Sequence, residues 1–451
     1  MKVHFIGIGG IGTSALAQYY LAKGHDVSGS DLVSSEITDF LEEKGAKLLK
    51  QIPKDVELVI YSPAVEPPKI KRAKLFSYPQ ALGQLTKKYF TIAVSGTHGK
   101  STTCAMISLI LEKAGFDPTV IIGTKLKEFG NSNFRKGKSK YLVIEADEWQ
   151  ASFLNYWPKI IVLTNIEREH LDYYKDLRHI LRTYREYVGH LSKDGILVAN
   201  GEDKNINKIF NKFSIKKFSK KQKEAKELRK ILKVPGEHNV YNALAALTVA
   251  RELKISDKIS FKALSEYKGA WRRFEEKELK IKNSCLPAGR EKLKIISDYA
   301  HHPTEIKATL KAVREKFPDR IIWCIFQPHQ YQRTFYLFDD FVKVFSKALR
   351  QTQGKPTIDK IIITDIYDVV GREKKNIKKQ INSQKLVKAT KKAIYLPKQK
   401  LKKYLKDNLK GGEVVIIMGA GDIYKLFYPV RGCKNKKEVQ DPQTSNEVYE
   451  L

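Results

Sequence analysis

Two glycine-rich loops hold the residues whose types and spacing suit chemistry. In Gly7-Ile8-Gly9-Gly10-Ile11-Gly12, a G-x-G-x-x-G pattern follows an apolar strand and opens a helix, and Asp31 ends the next strand. Such glycines let a diphosphate approach the backbone, while the helix start offers free N–H groups and the positive end of a dipole. Asp31 is placed to accept hydrogen bonds from a ribose. Alone, this is the dinucleotide fingerprint of an NAD-dependent dehydrogenase; physically it is a nucleotide-diphosphate cradle that does not name its nucleotide. The second loop, Ser95-Gly96-Thr97-His98-Gly99-Lys100-Ser101-Thr102-Thr103, is a shortened P-loop, since the strict form needs Gly where Val94 stands. Its amides would wrap phosphates, Lys100 would reach the β- and γ-phosphates of ATP, and the Ser101 hydroxyl would ligate Mg²⁺. An ATP loop beside a diphosphate cradle argues against a simple dehydrogenase.

Alternating strands and helices must position these loops. Strands are expected at Lys2–Ile8, Asp26–Ser30, Leu58–Ser62, Phe90–Val94, Tyr141–Ile144, Ile160–Leu163, Lys294–Ser297, Arg320–Phe326, Lys360–Thr364 and Glu413–Met418. Helices follow the two glycine loops, and the alternation implies parallel α/β sheets. Three α/β domains are expected: a Rossmann-like domain at 1–88, a central P-loop ATPase-like domain at 89–271 and a C-terminal Rossmann-like domain at 272–432. The polar tail Cys433–Leu451 reads as a frayed end, and Lys282–Lys292 and Gln351–Thr357 read as inserted loops.

Composition excludes whole classes. With 42% apolar residues among 451, the chain can bury cores, so wholesale disorder is excluded. Its 83 Lys and Arg against 50 Asp and Glu give a formal charge of +33. That suits anionic partners or simply a solvated lysine-rich surface, with much of the lysine in Lys204–Lys233 and no interleaved aromatic signature of RNA binding. Four cysteines without a C-x-x-C pair argue against a disulfide framework or a zinc site and fit a reducing compartment. Met1–Lys23 reads as strand, turn and helix rather than a signal peptide, and no apolar run approaches the ~18 residues of a membrane span. A soluble cytoplasmic protein is expected.

Several segments together resemble one family. Phe5–Ala17, Gly29–Leu32, Tyr61–Val65, Ser95–Thr103, Glu145–Leu154, Thr164–Tyr173, Gly236–Ala246, Arg272–Glu275, Asp298–Glu305, Phe326–Thr334 and Met418–Ile423 resemble, in order, motifs of the Mur ligases, the ATP-dependent amino-acid ligases of peptidoglycan precursor synthesis. The resemblance is strongest to the branch that joins L-alanine to the lactyl carboxylate of UDP-N-acetylmuramate. It implies that Gly9, Gly10, Ile11 and Gly12 face a UDP diphosphate, with Asp31 and Ser62 nearby. It assigns ATP to Gly96, Thr97, His98, Gly99, Lys100, Ser101 and Thr102, and metal binding to Ser101, Glu145 and His170. Without the motif, His170 would read as a polar turn residue. Asn239 and Asn242 would contact the adenine side, although Asn239 equally reads as a helix cap. Arg273 would reach the phosphates and Asp298 the ATP ribose, while His301, His302, His329 and Arg333 would line the amino-acid site.

The resemblance further implies an acyl phosphate formed by carboxylate attack on ATP, then attack by the alanine amine. Lys100, Arg273 and Mg²⁺ would offset charge, the His301–His302 pair is the candidate general base, and closure of the third domain would gate catalysis. A monomer or homodimer is expected. The chain departs from the family pattern at Gln330 and Gln80, where Arg is usual, at Glu169 for Asp and at Ala300 for Gly. Arg185 occupies the spacing at which some branches carry a carbamylated lysine, so no carbamate is expected. The alternatives are a ligase that recycles a tripeptide onto the same sugar nucleotide, an NAD-dependent dehydrogenase and a basic nucleic-acid-binding protein. The last would require steeply salt-dependent binding; no nucleic-acid partner is expected.

Overall fold

The computed structural model describes residues 1–210, 215–280, 292–350, 356–369 and 373–427. The tail Cys433–Leu451, the insert Lys282–Lys292 apart from Lys292, and residues 351–355 of the second insert lie outside them. The chain divides into two compact units, Met1–Trp271 and Arg272–Leu451. The first holds two sheets and the second holds one, so the architecture is α/β with three sheets.

The first sheet contains β1 (Lys2–Ile6), β2 (Asp26–Ser30), β3 (Lys47–Leu48), β4 (Leu58–Tyr61) and β5 (Lys74–Ser77), in the order β3-β2-β1-β4-β5 and parallel throughout. The order reverses beside β1, so the loops after β1 and β4 open a crevice at their carboxyl ends, where such sheets bind ligands. The second sheet contains β6 (Phe90–Ser95), β7 (Thr119–Leu126), β8 (Ser132–Arg135), β9 (Tyr141–Glu145), β10 (Ile160–Leu163), β11 (Ile196–Asn200) and β12 (Ile215–Phe218). Its order is β12-β11-β10-β6-β9-β7-β8, with β6 and the phosphate loop near the middle. β10 is apolar and buried at every position, as expected of a strand covered on both faces.

The second unit carries β13 (Glu275–Lys280), β14 (Lys292–Asp298), β15 (Ile322–Phe326), β16 (Lys360–Ile363), β17 (Ile394–Tyr395) and β18 (Val414–Met418), in the order β13-β14-β18-β15-β16-β17. Two antiparallel pairs join the parallel strands that the sequence implies. β7 pairs antiparallel with β8, and β13 pairs antiparallel with β14. β13, Glu-Glu-Lys-Glu-Leu-Lys, carries almost no apolar signal, and its partner supplies the ladder. The two-residue strands β3 and β17 are too short to show a period.

A buried polar seam joins the two sheets of the first unit. Gln18 Nε2 donates to Asn133 Oδ1 (2.7 Å), and Ser132 Oγ donates to Gln18 Oε1 (2.8 Å). Asn133 Nδ2 donates to Ile11 O (2.5 Å) and Ser14 Oγ (2.9 Å). β8 of one sheet is thereby fastened to the helix Ile11–Ala22 that follows the first glycine loop. Satisfied buried polar groups of this kind fix one arrangement where apolar packing would tolerate several.

His4 lies fully buried in β1, its ring bonded to Ser28 Oγ (2.9 Å) and Ser30 Oγ (3.4 Å). Burial lowers its pKa to about 4. The unfolded chain takes up this proton near the ordinary value of about 6.5, so the contribution of His4 is complete above that value and is lost as pH falls toward the folded one. The unfolding free energy from urea titrations should therefore fall between about pH 6.5 and about pH 4, by up to ~1.4 kcal/mol per pH unit from this residue. His4→Gln should flatten that slope; an unaltered slope would remove His4 as its source.

Candidate functional site

The second glycine loop leaves β6 and turns into the helix Lys100–Lys113. Gly99 is its N-cap, at φ 84°, with no side-chain cap, so the first-turn amides are left for a ligand. A Cβ at Gly99 would lie 2.4 Å from Asn242 Oδ1, which is why only glycine fits. Strands β6 and β10 carry the loop and its brace. Thr97 N–H donates to Asn165 O (3.0 Å), His98 N–H to Asn165 Oδ1 (2.9 Å) and Thr164 Oγ1 to His98 O (2.6 Å). Ser101 and Thr102 are buried in the first turn.

Lys100 Nζ donates to Glu148 Oε2 and to Gly96 O, both at 2.8 Å. The side chains are 13% and 3% exposed, so the pair is shielded from water. Burial opposes the charge of Lys100, but Glu148, Asp147 and Glu145 outweigh it and hold the ammonium above its ordinary value. Burial pushes the Glu148 carboxyl up, with Lys100 opposing. Ser101 Oγ donates to Glu145 Oε2 (2.8 Å), which also accepts Gly123 N–H (2.9 Å). A hydroxyl beside a carboxylate is the hard-oxygen donor set that Mg²⁺ favours.

His170 is grouped with Asp147 and Glu148, whose potential ligand atoms all lie within 4.8 Å of one another. Its Nε2 lies 3.7 Å from Glu148 Oε1. It also opens a turn at φ 54°, its carbonyl accepting Tyr173 and Tyr174 N–H, so the turn role and the position facing Glu148 coexist. Asp147 and Glu148 were not singled out from the sequence; their signal was Glu-Ala-Asp-Glu itself, with three acids where one was named.

Asn242 Oδ1 accepts from Thr103 Oγ1 (3.2 Å), and Asn242 Nδ2 donates to Asn239 Oδ1 (3.2 Å). The capping reading of Asn239 is corrected. The N-cap of helix Glu237–Glu252 is Gly236, and Asn239 Nδ2 instead donates to Pro235 O (2.7 Å). In the first loop, Gly9 N–H donates to Asp31 Oδ2 (2.8 Å), Leu32 N–H donates to Asp31 Oδ1 (2.8 Å), and Thr13 Oγ1 donates to Gly7 O (2.7 Å). Asp31 thus braces the cradle of Gly9, Gly10, Ile11 and Gly12, and Ser62, just past β4, abuts Gly7.

In the second unit, Asp298 Oδ2 accepts Phe274 N–H and Oδ1 accepts Ala300 N–H, both at 2.8 Å. Burial raises its pKa, with Arg273 opposing. Arg273 stacks over Tyr299 at 4.8 Å. His302 caps helix Pro303–Lys316, its Nδ1 accepting Thr304 N–H (3.2 Å). His301 Nδ1 lies 3.0 Å from Tyr299 O and 3.2 Å from Glu305 Oε2. Its ring meets that of His329 at 6.0 Å, and Arg333 Nη1 donates to His329 O (3.1 Å). His301, His329 and Arg333 are therefore neighbours at the carboxyl ends of β14 and β15.

These features define an α/β protein with a glycine-rich strand-to-helix loop on each of two successive parallel-dominated sheets, the second loop a shortened P-loop. Descriptions of known families then match in chain order: the Mur ligase family catalytic domain over residues 2–90, the Mur ligase middle domain over 94–250 and the Mur ligase glutamate ligase domain over 286–421. The chain belongs to the Mur ligase family. The UDP-N-acetylmuramate–L-alanine ligase of Acetivibrio thermocellus is 41% identical over 94% of both chains. That of Clostridium tetani is 39% identical over 94% of this chain and 96% of its own. Among solved structures, the UDP-N-acetylmuramate–alanine ligase of Thermotoga maritima aligns with a TM-score of 0.74 at 26% identity, covering 94% of this chain and 97% of that one. The murein peptide ligase of Psychrobacter arcticus shares the fold, at 0.65 and 22%, covering 94% of this chain and 97% of its own. No helix among the described residues is long and apolar enough to cross a membrane.

The buried pair yields a stability test. Glu148→Leu strands the Lys100 ammonium and should cost about 3–5 kcal/mol by denaturant unfolding. Adding Lys100→Met should recover most of that loss; no recovery would show that the pair is not the source.

Proposed function

We propose that the protein joins L-alanine to the lactyl carboxylate of UDP-N-acetylmuramate with cleavage of ATP, in peptidoglycan precursor synthesis. The carrying observation is the union, within one compact unit, of a diphosphate cradle and an ATP loop. A hydride-transfer enzyme needs no such loop. The full-length relatives named above supply the substrate class.

UDP sits against the Gly9–Gly12 loop, at the start of the helix Ile11–Ala22 that no side chain caps, and ATP on Gly96–Thr102, with Asn239 and Asn242 toward the adenine. The lactyl carboxylate attacks the γ-phosphorus, ADP leaves, and the acyl phosphate is opened by the alanine amine with loss of phosphate. Lys100 exchanges Glu148 for the phosphates, placing its charge where anions converge. Mg²⁺ fits Ser101 and Glu145, with His170 beside Asp147 and Glu148, and would supply further neutralisation of the phosphates. Asp298 serves by bracing the segment that carries Arg273. Arg333 holds the alanine carboxylate, with His301 and His329 alongside. The His302 Nδ1 lone pair is engaged in its cap, so His301 is the better candidate for accepting the amine proton.

Purified protein with UDP-N-acetylmuramate, ATP, Mg²⁺ and L-alanine should release ADP only when all are present. Lys100→Ala should cut the rate on the order of 10²–10³-fold. Release with L-serine, glycine or a tripeptide instead would move the amino-acid assignment and direct attention to Gln330. No release with any of them would end this reading.

A further inference from the structure

Tyr78 lies between the two cradles of the first unit, and nothing in the mechanism above uses it. It opens the helix Tyr78–Thr86, which is fastened at both ends. At the start, Ser77 and Gln80 form a reciprocal capping box, with Ser77 N–H donating to Gln80 Oε1 (2.9 Å). Further along, Gly83 presses on the segment that follows Glu148. A Cβ there would lie 2.3 Å from Asn155 O, so the helix is seated directly on the second sheet's loop.

This seating carries the Tyr78 ring over Gly12, the last glycine of the diphosphate cradle. A Cβ at Gly12 would lie 2.8 Å from ring Cζ and 3.0 Å from the hydroxyl oxygen. On the other side, Glu145 and Asp147 are close enough for their charges to act on the phenol. Among the described residues, the hydroxyl has no hydrogen-bond partner. The side chain is partly buried and packed against the core, so its position is held rather than free to swing.

The hydroxyl is thus near the last glycine of the first loop and within the field of two acids at the end of the strand beside the phosphate loop. Those carboxylates repel an approaching acid, and a hydrogen-bond donor at its edge offsets part of that repulsion. We propose that the Tyr78 hydroxyl binds the carboxylate end of the sugar nucleotide, donating a hydrogen bond that aims it from the Gly12 cradle toward the phosphate loop. Burial and the two acids keep the phenol protonated, so it acts there as a donor.

The proposal rests on the reading of the substrate as UDP-N-acetylmuramate. Its test separates the two by comparing binding of that nucleotide with UDP-N-acetylglucosamine, which lacks the lactyl carboxylate, in wild-type protein and Tyr78→Phe. Calorimetric titration should show Tyr78→Phe weakening UDP-N-acetylmuramate about tenfold, the scale of one hydrogen bond to a charged group, and leaving UDP-N-acetylglucosamine unchanged. In turnover, KM for the sugar acid should rise while KM for ATP holds. Equal weakening of both nucleotides would assign Tyr78 to packing and overturn the proposal, as would no change in either. A wild-type protein that does not distinguish the two nucleotides would fail the substrate reading itself, whatever the variant does. Thermal unfolding of Tyr78→Phe should match wild type, since the ring that covers Gly12 remains.

Discussion

A buried ammonium is tenable only against a buried carboxylate, and the pairing of Lys100 with Glu148 is the constraint from which the first unit's site is organised. Lys100 begins the helix after β6, and Glu148 follows β9, the neighbouring strand. Their contact therefore depends on the central pairing of the second sheet. Other groups converge on the same acid. Tyr174 donates its hydroxyl to Glu148 O (2.5 Å), and His170 faces Glu148 Oε1. The arrangement keeps a cation charged beside a helix start that no side chain caps, which suits the arrival of anions. It also explains why a cluster of acids adjoins an anion-binding loop: without them the cation would be costly to bury.

The two glycine loops of the first unit are held at a fixed separation. Three contacts fix it. Asn133 and Gln18 form the polar seam beneath the cradle. The helix Tyr78–Thr86 presses on Asn155, and Trp157 N–H donates to Thr86 Oγ1 (3.0 Å). All are hydrogen bonds or close backbone contacts, which have one good geometry, whereas an apolar interface can slide.

The second unit uses the same device with other residues. Arg272 is buried between the rings of Tyr299 and Tyr424, at 4.8 and 4.2 Å, and donates to Gly419 O and to Gly421 O (3.0 Å). Asp298 holds the neighbouring amides of Phe274 and Ala300. Arg272 is thus consumed by structure, while the adjacent Arg273 lies over Tyr299 and beside Asp298. The Arg-Arg pair reads as one basic motif in sequence and takes two different surroundings in space.

Much of this was legible in the chain. Glycines at loop positions and apolar runs of four to six residues are local signals, so both glycine loops, the strands that lead into them and the alternating α/β pattern could be read directly. Residues fixed by local sequence, such as Ser101 one step past Lys100, came with their motif. Pairings across the fold did not. The link of Lys100 to Glu148, the grouping of His170 with Asp147, and the place of Tyr78 above Gly12 join residues 48, 23 and 66 apart in number, and no local period encodes such contacts. The intramolecular partners of Asn239, Asp31 and His302 were not legible for the same reason. A polar side chain bonds whatever donor or acceptor the fold brings to it, and only the tertiary structure decides which that is.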